Sequence, residues 1–207
     1  MDLFKFDGEY FLDPRMSIAG VDEAGRGPWA GPVVAAAVVL PRGARIRGLN
    51  DSKKLSSKKR DELFIEISRR TPSVGVGIIS QDVIDDVNIL EATFLAMKEA
   101  ISRLSGAPEL VLVDGWPIPG LNIRQCAIIG GDGKSAVIAA ASIIAKVTRA
   151  RIMTEYSVKY PQYSFEKHKG YGTKEHRKAL ARYGPCPLHR KSFAPVRESL
   201  EKLRGGG

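Results

Sequence analysis

Cysteine is scarce. Cys126 and Cys186 stand far apart in the 207 residues, and no CxxC occurs. A disulfide framework and a thiolate zinc site are therefore excluded. Histidine is nearly as rare: His168, His176 and His189 show no HxxxH spacing and fit surface or substrate-facing positions. No apolar run approaches the ~20 residues of a membrane span. Internal repeats and low-complexity segments are also lacking. The opening MDLFKFDGEYFLD is acidic and aromatic, without the basic-then-apolar order of a secretory signal. A cytoplasmic protein with no membrane role is expected.

The hydrophobic fraction is 43% and the charged fraction 27%, ordinary for a folded soluble chain. The length suits one large domain, or a domain with a small appendage. Net charge is +9. That excess points to a polyanionic partner, nucleic acid before an anionic membrane surface.

Residues 1–15 read as a loosely attached lead-in. Ile18 to Val21 is a predicted strand, and the valine-rich run Val33 to Leu40, bounded by Pro32 and Pro41, is a second. Ser56 to Arg70 carries Leu63, Phe64 and Ile67 as a surface helix does; Lys58, Lys59 and Arg60 read as its solvated face. Val74 to Ile79 is a third strand. One long helical pattern follows over 81–104. Strands are predicted at Leu110 to Val113 and Gln125 to Ile129, then a helix from Ala136 to Tyr156. Short helices near 173–183 and 194–203 precede a frayed tail at Gly205 to Gly207. This order predicts an α/β domain with a mixed sheet.

Asp22, Asp114 and Asp132 each follow an apolar strand and have glycine nearby. Taken singly, each is an ordinary turn former. Together, beside the adjacent pair Asp22–Glu23 and on a basic protein, they point to a metal site at strand ends. Carboxylates gathered there repel one another unless a cation offsets them, and an all-oxygen donor set suits Mg²⁺ or Mn²⁺. Two such ions are a standard apparatus for phosphodiester hydrolysis. The turn Gly25-Arg26-Gly27 shares glycines with the dinucleotide fingerprint GxGxxG, but that fingerprint opens a helix, and Pro28, Pro32 and a valine run follow here. The glycines instead allow backbone groups to approach a ligand closely.

The segments GVDEAGRGPWAGPVVAAAVVL, LNDSKKLS, LVDG, GGDGKS, AAASIIAKVTR, YPQYSFEKHKGYGTKEH and HRKSFAPV occur in this order, from about Ile18 to Leu200. They resemble bacterial ribonuclease HII, the type 2 ribonuclease H family. The resemblance implies a ribonuclease H-like fold: a mixed sheet of five strands flanked by helices, with a helical C-terminal part. It divides the chain into a lead-in (1–15), a catalytic core (16–160) and a substrate-binding part (161–207). It implies an endonuclease that cuts the RNA strand of RNA–DNA hybrids, and cuts 5′ of single ribonucleotides in duplex DNA, leaving 3′-hydroxyl and 5′-phosphate ends. The family's four acidic metal ligands fall on Asp22, Glu23, Asp114 and Asp132. Gly25, Arg26 and Gly27 fall on the turn that presents backbone groups to the ribonucleotide 2′-hydroxyl, which tells RNA from DNA. Tyr171 matches the tyrosine that stacks at the RNA–DNA junction; His168, Lys169 and Gly170 make its surroundings a ligand-facing loop.

Ser52 and Lys53 of DSKK, with Lys134 and Ser135, are expected phosphate contacts. Because strand side chains alternate, the strand is expected to end at Asp22 so that Glu23 can turn toward the metals. A monomer is expected. One departure stands out: the family usually reads AKVTRD, and here Ala150 follows Arg149. Alternatives are a DNA-directed nuclease of the same fold, and a catalytically silent hybrid-binding protein. The carboxylates alone do not separate the first; GRG and HKGY do. Retention of all four acids argues against the second.

Overall fold

The computed structural model describes residues 2–13, 15–71 and 73–205. Five strands form one sheet: β1 (Ile18–Ala24), β2 (Val33–Val39), β3 (Ser73–Ile79), β4 (Leu110–Asp114) and β5 (Gln125–Ile128). Their order is β3-β2-β1-β4-β5. β1 is antiparallel to β2 and parallel to β4; β2–β3 is antiparallel and β4–β5 parallel. The sheet is thus mixed and β1 is its middle strand, buried on both faces.

The helices are α1 (Leu3–Gly8), α2 (Ser57–Arg70), α3 (Gln81–Val87), α4 (Ile89–Ser102), α5 (Ala136–Lys159), α6 (Phe165–His168), α7 (Lys174–Tyr183) and α8 (Ala194–Gly205). α5 covers one face of the sheet and α4 the other. Alternate residues of each strand sort between them. Ile18, Ala36 and Leu112 face α5, while Ala19, Val21 and Val113 face α4. Both helices lie very close to the strands. A Cβ on Gly20 would stand 2.1 Å from the Val137 carbonyl carbon, and one on Gly77 2.0 Å from the Ala96 oxygen. Small residues in the strands, and Ala139 to Ala141 in α5, permit that approach. Each large core side chain buried here, such as Leu112 or Ile143, contributes roughly 1.5–3 kcal/mol.

Two sequence expectations change. The lead-in is not loose. α1 buries Leu3 and Asp7 against the α5 side, and the Asp7 carboxylate accepts the Val137 N–H at 3.0 Å. The long helix over 81–104 is two helices. Asn88 takes φ +74°, breaks the pattern, and caps α4 by accepting from the Leu90 and Glu91 N–H groups. Of the expected frayed tail, Gly205 closes α8 and Gly206 and Gly207 lie outside the described residues. No helix among the described residues is long and apolar enough to cross a membrane.

Candidate active site

β1 does not end at Asp22. Its pairing with β2 continues through Glu23↔Ala35 to Ala24↔Val34. Its pairing with β4 stops earlier, at Val21↔Val113, and β4 itself ends at Asp114. So Asp22 and Glu23 are consecutive strand residues that project to opposite faces, Asp22 toward α5 and Glu23 toward α4. They serve one site because the neighbouring strand has run out, which leaves Asp114 between them at the edge. The pairs Asp22–Glu23, Asp22–Asp114 and Glu23–Asp114 repel one another, and Asp114 also feels Asp132.

Local bonds hold each acid. The Asp22 carboxylate accepts the Glu23 N–H at 2.7 Å and the Ser142 hydroxyl of α5. Asp114 accepts the Gly131 N–H at 2.7 Å, which ties the end of β4 to the Gly131–Gly133 turn bearing Asp132. Burial, then the Glu23 and Asp114 charges, push the Asp22 carboxyl well above its usual range. Glu23 and Asp114 are raised too, again by burial first, though Arg26 at 3.5 Å pulls Glu23 back. Two lysines offset the excess negative charge. Lys53 Nζ donates to Asp132 at 3.1 Å, which raises its own pKa. Lys146, lowered by burial, reaches the Ser52 hydroxyl and feels the charges of Asp22 and Asp132. Among the described residues, no group of three or more His, Cys, Asp or Glu is arranged as a ready-made metal cage. The donor chemistry nevertheless fits a hard divalent cation: buried, mutually repelling carboxylate oxygens with no sulfur or imidazole among them.

Asp22, Glu23 and Asp114 open into a cleft of about 500 Å³. The Gly25-Arg26-Gly27 turn, Ser52, Lys53, Lys169, Ala150 and Tyr171 line it as well. Arg26 and Gly27 are exposed, and a Cβ on Gly27 would stand 3.7 Å from the Tyr171 ring. Tyr171 is 50% exposed, so it is no core residue. Two segments more than a hundred positions apart in sequence thus share one wall. Their backbones are joined: the Trp29 N–H donates to the Gly170 carbonyl, and Ala30 bridges to His189.

Other expected contacts lie elsewhere. Ser135 is fully buried and caps α5, accepting the Ile138 N–H, so it cannot meet a phosphate. Lys134 is exposed, with Nζ on the Ile129 carbonyl. Ser52 lines the cleft but its hydroxyl is buried between Ser142 and Lys146. The histidines are not surface residues; all three are buried. His168 has both ring nitrogens occupied, by the Tyr163 carbonyl and the Gly170 N–H, so it shapes the loop and offers no ligand contact. Arg60 departs from the solvated helix face as well, for its guanidinium bonds the Ser52 and Leu55 carbonyls.

Two arginines were not singled out from the sequence, although both sit inside quoted motifs. Arg149, in α5, donates to the Ala30, Pro32 and Lys169 carbonyls at 2.9–3.0 Å. Arg190, fully buried, donates to the carbonyls of Gly25, Arg26, Gly31 and Pro32. Between them they clamp the GRG turn from beneath and fasten it to the HKGY loop. Burial lowers Arg149 to about 10 and Arg190 to about 9. No local signal marked them: Arg149 stands between Thr148 and Ala150 with Arg151 close by, and Arg190 between His189 and Lys191, as solvated arginines commonly do.

Known proteins resemble this chain in sequence and fold. A family model described as ribonuclease HII matches residues 19–196. A ribonuclease HII from Caldicellulosiruptor bescii is 59% identical over 92% of this chain and 92% of its own. One from Endomicrobium trichonymphae is 50% identical over 98% and 97%. The solved ribonuclease H2 of Pyrococcus horikoshii OT3 superposes with a TM-score of 0.77 at 28% identity, covering 92% of this chain and all of that one. The ribonuclease H-like sheet, the helical C-terminal part and these likenesses agree: the chain belongs to the ribonuclease HII family and is a type 2 ribonuclease H, an endonucleolytic hydrolase.

Proposed function

We propose that the chain cuts the RNA strand of RNA–DNA hybrids and cuts 5′ of a single ribonucleotide embedded in duplex DNA. A water oxygen attacks phosphorus and the P–O3′ bond breaks, leaving a 3′-hydroxyl upstream and a 5′-phosphate on the ribonucleotide. Asp22, Glu23, Asp114 and Asp132 hold two divalent ions, Mg²⁺ or Mn²⁺. Such ions supply an activated water and charge to stabilise the leaving oxygen. The chain's own residues do the selecting. Backbone groups of the Gly25–Gly27 turn meet the 2′-hydroxyl, and the Tyr171 ring packs on the next sugar, where a second 2′-hydroxyl would clash or lose its water. Arg26, Lys53 and Lys169 face the phosphates. The core (16–160) supplies the carboxylates and the C-terminal part (161–207) supplies Tyr171. One chain builds the whole cleft, so a monomer suffices. Removal of ribonucleotides from DNA is the corresponding role in replication and repair.

The observation that carries this reading is the meeting of Gly27 and Tyr171 beside the carboxylates. The test uses three labelled duplexes with Mg²⁺: all DNA, RNA–DNA hybrid, and DNA with one ribonucleotide. The last two should be cut and the first spared. Asp114→Asn should lose cleavage by about a hundredfold or more, with the fold intact, because it removes charge from the site at nearly constant shape. Near-normal cutting by that variant would remove Asp114 from the chemistry; cutting of all-DNA duplex would overturn the substrate.

A further inference from the structure

Behind Tyr171 lie three buried histidines, His168, His176 and His189, with the half-buried Cys186 beside them, and the group takes no part in the reaction above. Its hydrogen bonds have one consistent direction. The Cys186 N–H points at His189 Nδ1 at 3.0 Å, so that nitrogen accepts. The Cys186 thiol, kept protonated by burial, lies at 3.2 Å from the same atom. Neutral His189 must then carry its proton on Nε2, which faces His176 Nε2 at 3.0 Å. His176 Nε2 accepts, so the His176 proton is on Nδ1, and Nδ1 lies 3.0 Å from the Tyr171 carbonyl, which can only accept. The opposite tautomer of His189 would aim Nδ1–H at the Cys186 carbonyl at 3.3 Å. It would then set two acceptor nitrogens against each other at 3.0 Å and forfeit the Cys186 N–H bond, so it is excluded.

We propose that His176 and His189 are positioning residues for Tyr171, acting through a one-way chain of hydrogen bonds from the Cys186 backbone to the Tyr171 carbonyl. The chain ends on the residue whose ring lines the cleft, and it anchors that residue's backbone to the segment carrying Arg190. His168 stacks on His176 at 4.6 Å and holds the preceding turn through its own two bonds. A third proton on the pair would place donor against donor. Burial keeps both rings near pKa 4, so the relay is intact at neutral pH. The effect on cleavage rests on the reading of Tyr171 as a substrate contact; the relay itself does not.

The first measurement is ¹⁵N NMR of the histidine rings in the unaltered protein. His176 should be protonated on Nδ1, and His189 and His168 on Nε2. A different tautomer on His176 or His189 overturns the proposal without any variant. The second uses His189→Gln, whose amide N–H replaces the Nε2 donor, and His189→Asn, whose oxygen replaces only the Nδ1 acceptor. Tyr171 ring resonances should shift in His189→Asn and stay put in His189→Gln. The ratio of single-ribonucleotide to all-RNA cleavage should fall about tenfold in His189→Asn, the effect of one buried hydrogen bond, and remain within twofold in His189→Gln. Unmoved Tyr171 resonances in His189→Asn, or equal shifts in both variants, overturn the relay whatever the nuclease assay gives. If Tyr171→Ala leaves the cleavage ratio intact, the substrate-contact reading fails, and the resonances still decide the relay.

Discussion

Arg190→Met should destabilise the protein by roughly 1 kcal/mol, the outcome of two large opposing effects. Burying the guanidinium is costly. Its pKa falls from 12.5 to about 9, and at 1.36 kcal/mol per unit that cost is roughly 5 kcal/mol, which methionine would return. Against that gain stand the carbonyls of Gly25, Arg26 and Gly31, which lose their donor, while the Pro32 carbonyl keeps the Arg149 Nε–H at 2.9 Å. Each unpaired acceptor costs about 1–3 kcal/mol, so three cost roughly 6 in the middle of that range. The acceptors win. For a chain of this size that net loss should lower Tm by about 2–4 °C. Arg190→Lys keeps the desolvated charge and loses the planar fork that reaches several carbonyls at once, so it should do no better. Differential scanning calorimetry reads both. An unchanged or raised Tm in Arg190→Met would mean that the carbonyls find other donors and that the clamp does not hold the GRG turn.

A second prediction follows from Asp7, whose carboxyl is buried at the start of α5 and is pushed up by that burial to about 6 from 3.8. With the folded pKa above the unfolded one, its contribution is fully present below pH 3.8 and is lost as pH rises through 6. Asp7→Asn should therefore stabilise the protein by about 3 kcal/mol at pH 7.5 and by little near pH 4, measured by urea unfolding; a difference independent of pH would show that Asp7 is not strained. Binding of an RNA–DNA hybrid should weaken steeply between 50 and 200 mM salt, because Arg26, Lys53 and Lys169 displace counterions from phosphates, and an affinity flat over that range would refute the basic-cleft assignment.

The sheet was readable from sequence because its strands are apolar runs bounded by proline, glycine and aspartate, and such runs have few alternatives. The split at Asn88 was not readable, since apolar spacing continues across it and only a left-handed backbone conformation marks the break. α1 was missed for a different reason. Its residues are acidic and aromatic, and what fixes them is a tertiary contact between Asp7 and the start of α5, a partner 130 positions away. The histidines were misplaced because rarity and spacing speak to metal cages and say nothing about burial. Their burial depends on partners from separate loops, which no local pattern announces.

The adjacent acids Asp22 and Glu23 show where residue type and geometry part. Alternation correctly says that they cannot share a face of the sheet, and the tempting conclusion is that the strand ends to let one of them turn. The strand instead continues on the β2 side and is abandoned on the β4 side. A site at the edge of β4 is then reached from both faces at once, with Asp114 between the two. This arrangement needs a rigid β1, because a carboxylate on either face loses its aim if the backbone shifts. The residues after β1 serve that need. Glycines let the chain turn at once, and the two buried arginines hold its carbonyls in place of a partner strand. The same turn then faces the cleft. Rigidity for the carboxylates and placement for the proposed ribose contact thus come from one set of bonds, which is why a charge as costly to bury as Arg190 sits there.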